Sequence, residues 1–331
     1  MGTRLWIAVR RYPGSFTTQQ GKARLEPSSE AAVAATTETA SSESSRGVAI
    51  RCWGTRGSIP SPGPATAEYG GNTSCLSVRV GGNRFIFDAG TGIRLLGAKL
   101  DREREPFRGT IFLTHFHWDH IQGFPFFSPL YDPETRLEIL GPRQKDLDVE
   151  TIFGGLMSPV YFPVPFDAVA AELAFHHMNE DVWERDGVRV RSMRVRHPSY
   201  VVGYRLDAPA GSLCYIPDSE LVGGDHPVGS DWRDRLLEFV GGVDVLFHDA
   251  MFTGEEYRNR AGWGHSTFRQ ALDLAAEGGV DQLYFFHHAP ERSDSELNSI
   301  LQKFRNNAEE RGLDVAVNAA FEGKEIRIEE K

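Results

Sequence analysis

The chain has 331 residues, 40% of them hydrophobic and 25% charged, which is ordinary globular usage and enough length for a large core in one or two domains. Its 36 basic and 46 acidic residues give a formal net charge of -10, a balance that repels a polyanion and argues against bulk nucleic-acid binding unless basic groups are locally concentrated. Cys52, Cys75 and Cys214 are odd in number and far apart, and no stretch approaches the ~20 apolar residues that span a bilayer, so a disulfide framework and a membrane protein are both disfavoured and a reducing cytoplasm is expected.

Residues 1–46 carry Thr, Ser, Ala and Glu without apolar periodicity and read as a disordered leader, ahead of one catalytic domain over residues 47–331. The apolar run at residues 5–9 is shorter than the roughly 7–15 residues of a signal-peptide core. From Val48 onward, short apolar runs separated by glycine turns predict strands over 48–53, 75–80, 84–88, 110–114 and 136–140. Further strands are predicted over 188–196, 201–206, 212–216, 243–247, 282–286, 314–318 and 325–328. Two helices stand out between them. Phe268, Ala271, Leu272 and Ala275 recur at helical spacing behind a Thr267/Gln270 capping box and before Gly278. Leu297, Ile300, Leu301 and Phe304 do so behind Ser293 and Glu296, ending near Gly312. Many strands with amphipathic helices at intervals predict an α/β architecture, sheets covered on their outer faces by helices.

The chemistry concentrates in residues 110–123, TIFLTHFHWDHIQG, an apolar strand that runs into His115, His117, Asp119 and His120. On a strand end, residues two apart point to one side, and the following turn can swing Asp119 and His120 toward a second position nearby. Imidazoles mixed with carboxylate suit zinc and hydrolytic chemistry. A histidine-rich turn with adventitious metal affinity is the bland alternative, but further candidate ligands recur at later strand ends.

The His-x-His-x-Asp-His pattern after a strand resembles the metallo-β-lactamase superfamily, over roughly residues 48–328. That resemblance implies an αββα sandwich of two mixed β-sheets flanked by helices. It also identifies Asp88 in FDAGTG as the aspartate that braces the metal loop, His197 in VRHPS as a ligand, Asp218 in CYIPDS as a bridging carboxylate and His287 in YFFHHAP as the last histidine. His115, His117, His197 and Asp218 would hold one metal, and Asp119, His120, Asp218 and His287 the other. Two zinc ions per chain are implied, manganese being the alternative, with a hydroxide between them as nucleophile. His288 competes with His287, and His176 or His177 with His197.

Two later motifs are similar to those of the ribonuclease Z branch. VLFHDAMF, with Asp249, resembles its His-Glu-Ala-Thr motif with aspartate in place of glutamate, and GHST, with His265, resembles its His-Ser-Thr motif. In that branch the acid orients the histidine, which protonates the leaving oxygen. Expelling an alkoxide from phosphorus near pH 7 benefits from such a donor. The plain alternative is that Asp249 ends a strand and His265 precedes a helix cap.

The branch grips tRNA with a basic, glycine-rich arm, yet residues 147–183 contain no Lys or Arg; Phe153, Tyr161, Phe162 and Phe166 make an aromatic insert there instead. A lid, a dimer contact and a core-packing loop are the readings open for it. Asn72 and Thr73, in the glycine-rich stretch between the first strands, and Ser199 beyond His197 are candidate substrate contacts. The expected function is phosphodiester hydrolysis of a small nucleotide, a 3′,5′-cyclic nucleotide being the concrete choice. The alternatives are tRNA 3′-end cleavage and thioester or β-lactam hydrolysis. A homodimer is implied by the resemblance alone. A non-catalytic sensor would have lost a ligand or the acid, and every candidate position is occupied.

Overall fold

The computed structural model describes residues 47–104, 106–224 and 226–329. The leader expected over residues 1–46 lies outside the described residues. In chain order, β1 (Val48–Gly54), β2 (Cys75–Val80) and β3 (Asn83–Phe87) precede α1 (Ile93–Glu103). β4 (Arg108–Phe112) leads into the short α2 (Trp118–Ile121), followed by β5 (Arg136–Gly141), α3 (Val149–Leu156) and β6 (Glu172–His177). Then come β7 (Val182–Arg185), β8 (Val188–Val195), β9 (Val201–Ala208), β10 (Gly211–Ile216), α4 (Trp232–Val240) and β11 (Val245–Asp249). The chain continues through α5 (Gly254–Tyr257), α6 (Phe268–Glu277), β12 (Gln282–Phe286), α7 (Asp294–Glu310), β13 (Ala316–Ala319) and β14 (Glu325–Ile328).

These strands form two seven-stranded sheets, ordered β14-β1-β2-β3-β4-β5-β6 and β13-β12-β11-β10-β9-β8-β7. Both are mixed. In the first, β3 to β6 run parallel while β1 pairs antiparallel with β2 and β14; in the second, β10 to β13 run parallel while β7 to β10 alternate. The inner parallel strands β11 and β12 are buried on both faces, which is why Val245–Phe247 and Leu283–Phe286 read as continuous apolar runs rather than as alternating ones.

The sheets pack face to face over an aromatic layer. Phe112 meets Tyr204 at 5.4 Å and Phe87 meets Tyr215 at 5.8 Å between ring centres. Removing a ring such as that of fully buried Phe112 by substitution with alanine would cost about 3–5 kcal/mol. On the outer faces, Leu236, Leu272 and Leu297 seat α4, α6 and α7 on the second sheet, while Leu96 and Phe153 seat α1 and α3 on the first. The expected αββα sandwich is thus formed. Both predicted capping boxes are present, Thr267 with Gln270 on α6 and Ser293 with Glu296 on α7.

Seven elements differ from the sequence expectation: α1 to α5, β6 and β7 were not anticipated. β6 carries His176 and His177 at the end of an edge strand, where His176 lies 3.5 Å from Glu138 and His177 lies 3.1 Å from Arg143. Both belong to that edge and to none of the ligand groups, whereas His197 lies with His115, His117 and Asp218. The aromatic insert is divided: Phe153 is fully buried against Phe124, Phe162 packs on Phe126, and Val160 and Tyr161 are exposed.

Candidate metal centre

The strand order brings several C-terminal strand ends to one rim. Asp88 follows β3, His115 follows β4, His197 follows β8, Asp218 follows β10, Asp249 ends β11 and His287 follows β12. Side chains at the carboxyl ends of parallel strands, released from the ladder but still anchored by it, are placed to bind a ligand.

Among the described residues, His115, His117, His197 and Asp218 form one group whose ligand-type atoms lie within 4.8 Å of one another, and Asp119, His120 and His287 form a second. Asp218 connects them. Its Oδ1 is 3.1 Å from His120 Nε2 and 3.3 Å from His287 Nδ1, while its Oδ2 is 3.8 Å from His115 Nε2 and 3.9 Å from His197 Nε2. Asp119 Oδ2 stands 3.3 Å from His120 Nε2 and 3.7 Å from His287 Nε2. All are buried except His117, which opens the cluster to solvent beside the exposed Trp118.

Hydrogen bonds from outside the cluster orient the rings. Asp88 accepts the Thr114 N–H at 2.8 Å and the Tyr215 hydroxyl at 3.0 Å, and pairs with His120 Nδ1 at 2.8 Å. That pairing leaves His120 Nε2 for the cluster. His115 Nδ1 meets the Thr114 hydroxyl at 3.0 Å and His197 Nδ1 meets the Gly264 carbonyl at 2.9 Å, again turning Nε2 inward. Such outer partners fix tautomer and direction for metal-binding imidazoles. Tyr215 extends this bracing into the core, because its ring packs on Phe87 beneath the site.

The residues present fit a metal. His115 Nε2, His120 Nε2, Asp218 Oδ1 and His287 Nδ1 are buried and make no hydrogen bond of acceptable geometry, although the last three approach one another closely. Buried polar atoms left unsatisfied cost about 1–3 kcal/mol each, and a divalent cation would relieve that cost. The charge pattern agrees at Asp218 and His115, whereas burial lowers His120 but the facing carboxylates of Asp119, Asp218 and Asp88 outweigh it and raise it well above an ordinary imidazole. Burial pushes the Asp218 carboxyl up, but the facing His287, His120 and His115 outweigh it and hold it well below the usual carboxylate range. Burial lowers His115 far below an ordinary imidazole, reinforced by the neighbouring His120, and a neutral ring is the form that binds metal.

His265 stands at the edge of this cluster. Its Nδ1 is 2.8 Å from Asp249 Oδ2, its ring stacks on His287 at 4.9 Å, and it forms a third group with Asp218 and His287. Asp249 is itself fixed by the N–H groups of Ser219 at 3.0 Å and Met251 at 3.1 Å. Burial lowers the His265 pKa, but the Asp249 carboxylate prevails and raises it to about 9. In the metal-free chain the Asp249 carboxylate therefore favours the protonated imidazole at neutral pH.

Other sequence candidates are placed differently. His288 points its Nε2 to the Ala320 carbonyl at 2.8 Å and belongs to no ligand group, so the structure puts His287 in the cluster and His288 in the support. Asn72 donates to Glu322 through its backbone N–H at 2.6 Å and through Nδ2 at 2.8 Å. Thr73 exchanges bonds of 2.9 Å with Thr91. These bonds occupy groups that the sequence pointed toward substrate. Ser199 is half-buried with its Oγ unpaired.

Two contributions escaped the sequence reading. The Ser58 N–H donates to Asp119 Oδ2 at 2.7 Å, from a residue with φ 63. Gly57 lies flat on His287, where a Cβ would sit 2.3 Å from the ring. The loop that carries both is anchored by fully buried Arg56, whose guanidinium donates to the carbonyls of Gly70, Ala289 and Arg292.

Comparison with known proteins agrees with this fold. Residues 83–288 match the model of the beta-lactamase superfamily domain. The chain is 27% identical over 278 residues to a ribonuclease Z of Halobacterium salinarum, covering 71% of this chain and 84% of that one. A metallo-beta-lactamase fold protein of Bacillus subtilis superposes with a TM-score of 0.61 at 18% identity, covering 85% of this chain and 99% of its own. The short form of human tRNase Z gives 0.57 at 18% identity, with the same coverages. The chain belongs to the beta-lactamase superfamily and is a hydrolase of the metallo-β-lactamase fold, a fold that implies a metal centre, which the His and Asp clusters at its rim of strand ends fit.

Proposed function

We propose that this hydrolase is a phosphodiesterase with two divalent cations. His115, His117, His197 and Asp218 would hold one, and Asp119, His120, Asp218 and His287 the other. Zinc is the expected metal from the imidazole-rich set, with manganese as the alternative. Bound there, the cations would supply a nucleophile at neutral pH and Lewis acidity for a phosphoryl oxygen.

The observation that carries the reading is the Asp249–His265 pair beside Asp218 and His287. Asp249 holds the proton on His265 Nδ1, so Nε2 carries the proton that can be given away. A phosphodiester needs such a donor because its leaving alkoxide is a strong base, whereas a ligand cluster alone does not distinguish phosphorus chemistry from acyl chemistry.

For the substrate, similarity to ribonuclease Z supports an RNA diester, with tRNA 3′-end cleavage as the leading reading; this reverses the order expected from sequence. The second reading, a small nucleotide diester such as a 3′,5′-cyclic nucleotide, is supported by one feature. Residues 147–183 carry no Lys or Arg and fold as α3, a long loop with a 3-10 turn at Phe166–Ala168, and β6, with Val160 and Tyr161 exposed where a basic arm would be expected. No helix among the described residues is long and apolar enough to cross a membrane, and the three cysteines are buried and free, which supports a reducing compartment such as the cytoplasm.

The test is metal analysis of the purified chain followed by a hydrolysis screen over precursor tRNA, cyclic mononucleotides, bis(p-nitrophenyl) phosphate and a cephalosporin. Turnover of tRNA or cyclic nucleotide decides between the two substrates. Turnover of the cephalosporin with none of the diesters would overturn the phosphodiesterase reading.

A further inference from the structure

The turn after Asp218 carries a second carboxylate. Glu220 is fully buried and belongs to none of the ligand groups. Several donors converge on it. Its Oε1 accepts the Gly262 N–H at 2.8 Å and the Tyr257 hydroxyl, while its Oε2 accepts the Gly264 N–H at 3.0 Å and meets His226 Nε2 at 2.8 Å. A glycine pair closes over this carboxylate. Gly223 and Gly224 have φ 86 and 60, and a Cβ on them would lie 2.3 Å from the Tyr257 hydroxyl and 2.6 Å from Glu220 Oε2.

The segment that Glu220 grips is the one that serves the metal centre. Gly264, held by its N–H on Glu220, offers its carbonyl to His197 Nδ1 at 2.9 Å, and His265 is the next residue. A Cβ on Gly264 would lie 2.3 Å from His197 Nδ1. Gly262 and Gly264 have φ 87 and 92, conformations open to glycine that nothing local enforces. One residue further on, Ser266 Oγ donates to the Ser219 carbonyl at 2.5 Å and accepts the Leu221 N–H at 3.1 Å. The two turns are thus clasped on both sides of His265.

We propose that Glu220 is a positioning residue, fixing the backbone of residues 262–264 and through it the direction of His197 and the placement of His265. Only a carboxylate satisfies the geometry. It accepts at both oxygens, whereas a glutamine of the same shape turns an NH2 group toward donors on one side and releases either Gly262 or Gly264. The His197 part of the proposal stands on the metal centre alone; the His265 part rests on the phosphodiesterase reading above.

The test is Glu220→Gln in the full, metal-loaded chain, with three readouts: hydrogen exchange of the 262–264 amides, metal retained against a competing chelator, and kcat and KM on diesters of good and poor leaving groups. Expected are faster exchange at 262–264 and a loss of about 10- to 100-fold in metal affinity or kcat, with KM little changed, the scale typical for partners of metal ligands. Exchange and metal retention both equal to wild type would overturn the proposal, whatever the activity. Should Glu220→Gln fail to fold, Tyr257→Phe removes one donor and leaves the carboxylate partnered. A smaller change in the same direction is expected, and unchanged exchange would overturn the proposal equally. If exchange and metal retention shift while wild type hydrolyses no diester, Glu220 keeps its role toward His197 and the phosphodiesterase reading fails instead.

Discussion

Replacing His265 by alanine takes away the proton donor and leaves the ligands proposed for the two cations in place. The Asp249 carboxylate at 2.8 Å raises the imidazole from an ordinary 6.5 to about 9. That difference corresponds to roughly 3 kcal/mol in favour of the protonated ring and leaves about a hundred imidazoliums per neutral ring at pH 7. Cations bound in the cluster would draw the value downward, while the Asp249 carboxylate continues to favour the protonated ring. General acid catalysis is worth about 10²–10⁴-fold, and the full loss is expected where the leaving group is a ribose alkoxide. A nitrophenolate departs with little help, so bis(p-nitrophenyl) phosphate should lose about tenfold or less. The assay compares kcat on both substrate types with elemental analysis of the same preparation. Equal losses on both, or loss of a metal, would refute the role. The second outcome would make His265 a ligand, which its place in a group with Asp218 and His287 permits.

The remaining expectations concern metal, loop, leader and pH. Asp218→Ala should abolish activity and leave less than one metal per chain by elemental analysis, with an unchanged circular dichroism spectrum, because the bracing bonds through Asp88 and Gly264 remain. Gly57→Ala should displace His287 and lower the occupancy of the position shared by Asp119 and His120, since its Cβ would meet the ring at 2.3 Å; metal titration checks this. Removing residues 1–46 should leave activity and Tm essentially unchanged, because their composition offers no apolar face to a core; a Tm lowered by many degrees would contradict it. Activity on poor leaving groups should fall as pH rises toward about 9, the His265 value, displaced downward by bound cations. In the metal-free chain the sign for stability is the same. The folded value lies above the ordinary 6.5, so the His265–Asp249 contribution is complete below about 6.5 and is lost as pH rises through about 9. Thermal melts of the chelated protein with and without Asp249→Asn should differ most just below a pH of about 6.5, where the carboxylate is still ionised, and least above about 9.

The sequence made the inner strands visible because a strand buried on both faces carries a continuous apolar run, as in Val245–Phe247 and Leu283–Phe286. Edge strands lack that constraint. β6 alternates between exposed and half-buried positions over ELAFHH, and β7 is four mostly exposed residues, so neither writes a pattern strong enough to read. The helices divide in the same way. α6 and α7 begin at reciprocal capping boxes and are long enough to repeat an apolar spacing, whereas α1 begins at Gly92 and α4 at Asp231 without a side-chain cap bond, and the capped α3 and α5 are only 8 and 4 residues long.

The site follows a related division between local and distant order. His115 to His120 form one continuous segment whose chemistry can be read residue by residue, and the later ligands each sit at a strand end with a recognisable local motif. What aims those ligands is distant. Gly264 is 67 residues from His197, Tyr215 is 127 from Asp88, and Arg56 reaches carbonyls more than 230 residues away. A glycine beside a histidine reads locally as a turn, and an arginine between threonine and glycine reads as a solvated loop, because the carbonyl or carboxylate that gives each its role arrives only with the fold. The same limit explains the opposite error. Asn72 and Thr73 have the polarity of substrate donors, but polarity cannot show that Glu322 and Thr91 already occupy those groups. A ligand set is therefore a property that short motifs can state, while its orientation is a property of contacts between motifs. Substitutions at Gly57, Arg56 and Glu220 probe the second property directly.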